Sequence, residues 1–310
     1  MESVKAEVSC SSANLGAGFD ILGLSLDIFS ECVTVKVETE NNSRIKIIGK
    51  NIPKDPRLNS AGLSALKVLE HYRIKENISI QIEKFIPSGF GLGSSGASSA
   101  ASVCAIDSLF GINMSQDEKI YYAGIGEIAA SGTSHFDNVA ANICGGYTMI
   151  TSFDPLHAIT LRNATKFVFT LIIPDMKIEK KTFTSRELLP EIIPLKTHIE
   201  SSRYLSSLIV GIINDDEFLI RSGMNDPIVE KAREKMYPYY SDLKSGILQV
   251  GAYGVCLSGA GPSVLVISDG SINNDIGNMA ASVMDSYKLN FSIHNGNIGK
   301  GVVIEGKILQ

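Results

Sequence analysis

Apolar and polar residues alternate from position 77 to 84 (Asn-Ile-Ser-Ile-Gln-Ile-Glu-Lys), the period of a strand with one buried face. Similar patterning predicts strands over 4–9, 24–37 and 44–48, the last two joined by the turn Asn41-Asn42-Ser43. Leu63, Leu66 and Leu69 recur at helical spacing behind Asn59-Ser60. A small-residue segment at 98–109, free of proline, predicts a second helix. Ser115 and Glu118 form a capping box at the head of a third helix, which reaches residue 131. A strand follows at 146–151.

The pattern changes near Asn163. Residues 167–173 form a strongly apolar strand that ends at Pro174, as if opening a second sheet. Helical stretches follow at 201–213, 215–223 and 227–235. Two short apolar strands within 254–266 flank the tight turn Ser258-Gly259-Ala260-Gly261-Pro262. Residues 278–287 read as helix, and the tail from 289 as strands. Strands and helices that do not strictly alternate make an α+β protein. The length, 310 residues, gives room for two domains, set here at 1–163 and 164–310.

Composition narrows the function classes. The formal charge of −5 offers no broad basic field, so nucleic acid is a poor partner. No apolar run approaches the roughly 20 residues that cross a bilayer, and the first residues lack a secretory apolar core. The five cysteines are scattered and odd in number, as expected of reduced thiols in a cytoplasmic protein rather than disulfides or a metal site.

Candidate chemistry concentrates in three polar, glycine-rich stretches. The central one is Pro87-Ser88-Gly89-Phe90-Gly91-Leu92-Gly93-Ser94-Ser95-Gly96-Ala97, between a predicted strand and a predicted helix. Glycines let backbone approach a ligand closely, and helix N-termini favour anions, so a phosphate-bearing ligand is the natural guess. A plain flexible turn is the alternative. Gly91-x-Gly93-x-x-Gly96 matches the dinucleotide expression, but Pro87 intervenes and no acidic residue closes a following strand. The P-loop expression fails for want of a lysine in the loop. Glu127 lies among Ala123, Gly124, Ala130 and Ser131, without the lysines a solvated face would supply, which suggests an inward role; a capping glutamate is the alternative. His135, Asp137 and Asn138 cluster at a predicted helix start.

Three motifs stand in order: Ser12-Ala13-Asn14-Leu15-Gly16-x-Gly18-Phe19-Asp20-x-Leu22-Gly23, Gly91-Leu92-Gly93-Ser94-Ser95, and Leu257-Ser258-Gly259-Ala260-Gly261-Pro262-Ser263. Together they resemble the signatures of the GHMP small-molecule kinases. The first motif and His135-x-Asp137-Asn138-Val139-Ala140 are most similar to the homoserine kinase branch, with Ala17 and Phe136 where that branch usually has prolines. The resemblance implies a ribosomal-protein-like N-terminal domain that holds ATP and a ferredoxin-like C-terminal domain. It also implies that residues 87–97 wrap the triphosphate, that Asn59 touches adenine, and that Ser95 and Glu127 ligate Mg²⁺. Asn14, Asp20, His135, Asn138, Thr182, Arg186, Arg233, Gly259 and Gly261 would surround the acceptor, L-homoserine. A homodimer is what family likeness suggests.

Phosphoryl transfer needs positioning and charge neutralisation more than strong acid–base help. A carboxylate acceptor group suits Arg186 and Arg233, and an ammonium suits Asp20 and Asn14. Asn138 and Asp20 are therefore expected to orient the hydroxyl for direct attack without a dedicated base. The rival readings are a kinase for shikimate, a mevalonate derivative or a sugar, and a silent nucleotide sensor on the same fold.

Overall fold

Ser3–Ala13 (β1) places Val4, Ala6, Val8 and Cys10 on one buried face and runs antiparallel to the long strand Leu22–Glu38 (β2). The computed structural model describes residues 3–39, 43–176 and 181–305, with the side chains of Ser131, Lys181 and Thr182 outside the description. Ile45–Ile48 (β3) follows, then the helix Ser60–His71 (α1) and the strand Asn77–Glu83 (β4). The expected hairpin between the second and third strands does not form. Instead β4 lies between them, antiparallel to β2 and parallel to β3, and α1 makes the crossover. Ile78, Ile80 and Ile82 are all buried, which suits β4 to an interior position. Asn41 and Asn42 of the expected turn lie outside the described residues.

Helices Ser94–Phe110 (α2), Gln116–Gly126 (α3), Ile128–Ser131 (α4) and Asp137–Cys144 (α5) come next, with α2 and α5 packed on β1 and β2. Helix α2 begins four residues earlier than the sequence suggested, so Ser94 and Ser95 belong to its first turn. Its buried Ser98, Ser99, Ala100, Ala101 and Ser102 allow close approach to the sheet and to α1. The capping box at Ser115 and Glu118 is present, but the third helix breaks at Glu127, with α4 beyond it. Strands Tyr147–Phe153 (β5) and Leu156–Arg162 (β6, not foreseen) form a hairpin hung on β2.

The second sheet contains Val168–Pro174 (β7), then five helices: Lys181–Glu187 (α6), Leu195–Asn214 (α7), Glu217–Gly223 (α8), Val229–Arg233 (α9) and Tyr240–Gln249 (α10). Gly254–Leu257 (β8), Val264–Ser268 (β9), Asn273–Ser286 (α11) and Phe291–Gly296 (β10) complete it. The order β10-β7-β9-β8, antiparallel throughout, is the ferredoxin-like arrangement. The chain then returns: Val303–Glu305 (β11) pairs with β1, and Lys5 meets Glu305 at 2.8 Å. A division at 163 therefore separates the two sheets but not the last strand.

Every residue of β9 is buried. Leu265 and Ile267 face a core shared with the first sheet, while Val264 and Val266 face a second core against α10 and α11. Tyr147 of β5 lies at this junction with its ring 6.0 Å from Phe169 of β7. The ring is 1% exposed, and its hydroxyl has no partner among the described residues. We therefore predict that Tyr147→Phe preserves or raises stability, by about 1 kcal/mol, because an unmet hydroxyl is removed while the ring stays. Urea unfolding checks this, and a loss of that size would reveal a bound partner for the hydroxyl.

Candidate active site

Between β4 and α2 the chain makes three left-handed turns, with φ of 87° at Gly89, 80° at Gly91 and 65° at Gly93. Phe90 and Leu92 are absent from the left-handed region, so the backbone alternates in hand and forms a concave row of amides. Three consecutive carbonyls are held on the side away from the cleft. Phe90 O accepts from Ser263 N at 3.4 Å, Gly91 O from Ser258 Oγ at 2.7 Å, and Leu92 O from Ser11 N at 3.2 Å. In a trans peptide the next residue's N–H points opposite to the carbonyl. The amides of 91, 92 and 93 are thereby turned outward, and those of Ser94 and Ser95 in the first turn of α2 extend the row.

These residues line a cleft of about 470 Å³ between the two sheets. From the central motif it takes Pro87, Ser88, Gly89, Gly91, Leu92, Gly93, Ser94 and Ser95. Phe90 packs on the core, Gly96 lies against Val139 and Asn142, and Ala97 is fully buried, so these three support the loop from behind.

Across the loop, Ser95 Oγ donates to Glu127 Oε2 at 3.0 Å. The break between α3 and α4 places that carboxylate, only 6% exposed, at the cleft wall. Burial pushes its pKa up to about 7, with the Ser95 bond opposing. Among the described residues no group of three or more His, Cys, Asp or Glu gathers as a metal cage. One hydroxyl and one carboxylate are hard oxygen donors that fit Mg²⁺ completed by phosphate and water, and do not suit a thiolate or imidazole metal.

The opposite end of the cleft is charged. Asn14 and Asp20 take φ of 62° and 59°, and Asn14 Oδ1 accepts from Asp20 N at 2.9 Å. Arg186, near the end of α6, donates to both oxygens of Asp20 at 2.6 and 2.9 Å. The same nitrogen lies 2.9 Å from His135 Nδ1, which must accept, so Nε2 carries the proton and donates to Thr133 Oγ1 at 3.0 Å. Burial and Arg186 lower the pKa of His135, which keeps the ring neutral. Arg233 of α9, 2% exposed, donates to Gly259 O at 3.0 Å, while its Nε has no partner among the described residues. Phe19 lies against both guanidiniums, at 5.1 Å from Arg186 and 5.4 Å from Arg233. Asn138 Oδ1 accepts from Ser11 Oγ at 2.8 Å beside Gly93. Asp137, 3% exposed, accepts from the Asn138 amide at 2.8 Å; burial, reinforced by Asp20, pushes its pKa up to about 7.

The structure thus brings Asn14, Asp20, Ser95, Glu127, His135, Asn138, Arg186, Arg233 and Gly259 to one cleft. Asn59 is not among its lining residues. Its amide caps α1, accepting from Gly62 N at 3.2 Å and donating to Pro53 O at 3.1 Å. Gly261 also stands back, because its φ of 77° seats it against the Tyr237 ring. The side chain of Thr182 lies outside the described residues. Sequence reasoning missed Lys84 and Phe19, which both line the cleft. Lys84 was visible as a cation three positions before Pro87, and Phe19 as an aromatic between Gly18 and Asp20.

Comparison with known proteins places the chain in a family. Residues 59–146 match the family model for the GHMP kinases N terminal domain, and 212–284 that for GHMP kinases C terminal. The chain is 41% identical to a homoserine kinase of Thermoplasma acidophilum over 98% of its own length and 97% of the relative. It is 40% identical to one of Saccharolobus solfataricus over 99% and 100%. A homoserine kinase structure from Cytophaga hutchinsonii superposes with a TM-score of 0.89 at 32% identity, covering 98% of each chain. A mevalonate diphosphate decarboxylase from Staphylococcus aureus shares the fold, with a TM-score of 0.70 at 16% identity and 98% coverage of each chain.

Gly91 tests the seating of the loop. A Cβ there would stand 2.1 Å from Ser258 O and 2.7 Å from Gly261 O, on a backbone that L-residues resist. Gly91→Ala is expected to cost about 3 kcal/mol in urea unfolding, from overpacking and strain together. Wild-type stability would show that the loop is not pressed against the turn.

Proposed function

The chain belongs to the GHMP kinases, and we infer that it is a homoserine kinase, transferring the terminal phosphoryl group of ATP to the side-chain hydroxyl of L-homoserine. The product is O-phospho-L-homoserine, in threonine biosynthesis. The observation that carries the acceptor assignment is the Asp20–Arg186 pair, with Arg233 beside it, facing the amide row across one cleft. A free amino acid bears an ammonium and a carboxylate, and a paired anion and cation match that zwitterion. Asp20 and Asn14 take the ammonium; Arg186 and the unmet Nε of Arg233 take the carboxylate. Mevalonate and sugars lack the ammonium and would offer Asp20 no cation beyond Arg186.

In this reading the outward amides of residues 91–95 hold the phosphates. Ser95 and Glu127 hold Mg²⁺, which when bound supplies charge neutralisation on the phosphate oxygens. Asn138, fixed by Ser11, and Asp20 orient the acceptor hydroxyl for direct attack. A loose transition state makes little demand for a base. His135 acts by holding Arg186, not by moving a proton. We place the enzyme in the cytoplasm, consistent with five free cysteines. No described helix is long and apolar enough to cross a membrane. The acidic charge balance argues against a nucleic-acid partner, and a homodimer is proposed from family likeness alone.

An ADP-release assay over homoserine, mevalonate, shikimate and galactose tests the assignment. Turnover is expected with homoserine, and activity with another acceptor alone would overturn it. Arg186→Met should lower kcat/KM for homoserine by about one to two orders of magnitude, the worth of a charged hydrogen-bonded contact. Ser95→Ala and Glu127→Ala should each abolish turnover with little change in melting temperature. The pH profile of kcat/KM tests direct attack. Asp137→Asn is expected to keep the wild-type profile; a wild-type limb near the carboxyl's value of about 7 that vanishes in the variant would make Asp137 the proton acceptor.

A further inference from the structure

Glu31, in the interior of β2, has no exposed surface and lies beneath the first turn of α2, outside the cleft lining. Its carboxylate accepts from Ser98 Oγ, lies 3.4 Å from Ser94 Oγ, and stands 3.7 Å from Lys84 Nζ. Lys84 in turn donates to Ser94 Oγ at 2.8 Å and to the Ser94 carbonyl at 3.0 Å, and Ser88 Oγ lies 3.2 Å from the same hydroxyl. One buried anion therefore ties together β2, the end of β4, the glycine loop and the start of α2. Burial pushes the Glu31 pKa up, while Lys84, Ser98 and Ser94 pull it back.

A carboxylate here costs desolvation that an apolar side chain would avoid. It also sits under a helix N-terminus which, on the reading above, receives phosphate, so its charge opposes the ligand. Its service to the site must lie in what it holds. A lysine stem has four flexible bonds, and the Lys84 side chain is 23% exposed at the cleft wall. Left alone, its ammonium would sample solvent. We propose that Glu31 is a positioning residue that pins Lys84 where its ammonium meets the polyphosphate of the nucleotide. The proposal rests on the ATP reading but not on the identity of the acceptor.

Calorimetry with ATP alone on the full chain tests it. Glu31→Gln keeps the shape and removes the charge; the Kd for ATP is expected to weaken about tenfold, the scale of one charge-assisted contact. The KM for ATP should rise by the same factor, with the KM for homoserine unmoved and kcat little changed. Lys84→Met should weaken ATP at least as much, and the double variant should bind no worse than Lys84→Met, because both act through one ammonium. Additive losses, a matching fall in kcat with both KM values, or unchanged or tighter ATP binding would overturn the proposal. Should Glu31→Gln fail to fold, Lys84→Met decides alone, and an unaltered Kd overturns it. Wild-type protein that binds ATP but leaves homoserine untouched removes the acceptor reading while this test stands. Wild-type protein that binds no ATP removes both.

Discussion

Three hydrogen bonds to three successive carbonyls set the shape on which the cleft depends. Phe90, Gly91 and Leu92 direct their oxygens into the protein, toward Ser263, Ser258 and Ser11. The donors come from the third motif, the third again, and the residue just before the first motif. A free glycine loop would let each peptide plane flip, presenting oxygen or hydrogen to a ligand with comparable ease. Fixing the carbonyls removes that freedom and leaves a row of donors before any anion arrives, which is the preorganisation electrostatic catalysis requires. The lacing continues between the outer motifs themselves, where Gly259 N donates to Ala13 O at 2.9 Å. Neither sheet could form this site alone.

Charge is arranged in the same economical way. The cleft holds the carboxyls of Asp20, Glu127 and Asp137 and the cations of Lys84, Arg186 and Arg233. Each cation is tied to a partner: Lys84 to Ser94, Arg186 to Asp20 and His135, Arg233 to Gly259. Fixed partners limit the reorganisation a polar ligand must otherwise drive. The guanidiniums also share the face of Phe19, so one aromatic ring spaces two cations that would repel if unscreened.

Much of this was legible in the sequence because it lies in local pattern. Alternation gave β4, the capping box gave the head of α3, and the three motifs gave Asn14, Asp20, Ser95 and Gly259 of the cleft. What was not legible depended on partners distant in the chain. The position of β4 between β2 and β3 is a choice of pairing partner, and the turn at 41–43 carries no sign of it. The return of β11 to β1 is a pairing across nearly the whole chain, and three residues have no pattern of their own. Helix α2 was expected to start late because glycines and serines read as loop. Its first turn is held by a network around a glutamate more than sixty positions away, which no local rule could see.

The distribution of these contacts couples the glycine loop to the charged end of the cleft. The turn at 258–263 holds the glycine loop through Ser258 and Ser263, and through Gly259 O it holds Arg233. Any shift of the second sheet relative to the first must therefore move the amide row and Arg233 together. Asn138 adds a link on the other side: through Ser11 it is bonded to the residue whose amide holds Leu92 O. The reacting groups come from two layers of the fold, yet their mutual distance is set by a few short polar contacts between those layers rather than by the length of any connecting chain. In-line transfer tolerates little error in that distance. The shared turn gives the two halves of the site one common reference, which explains why a segment with so little bulk is held at so many points.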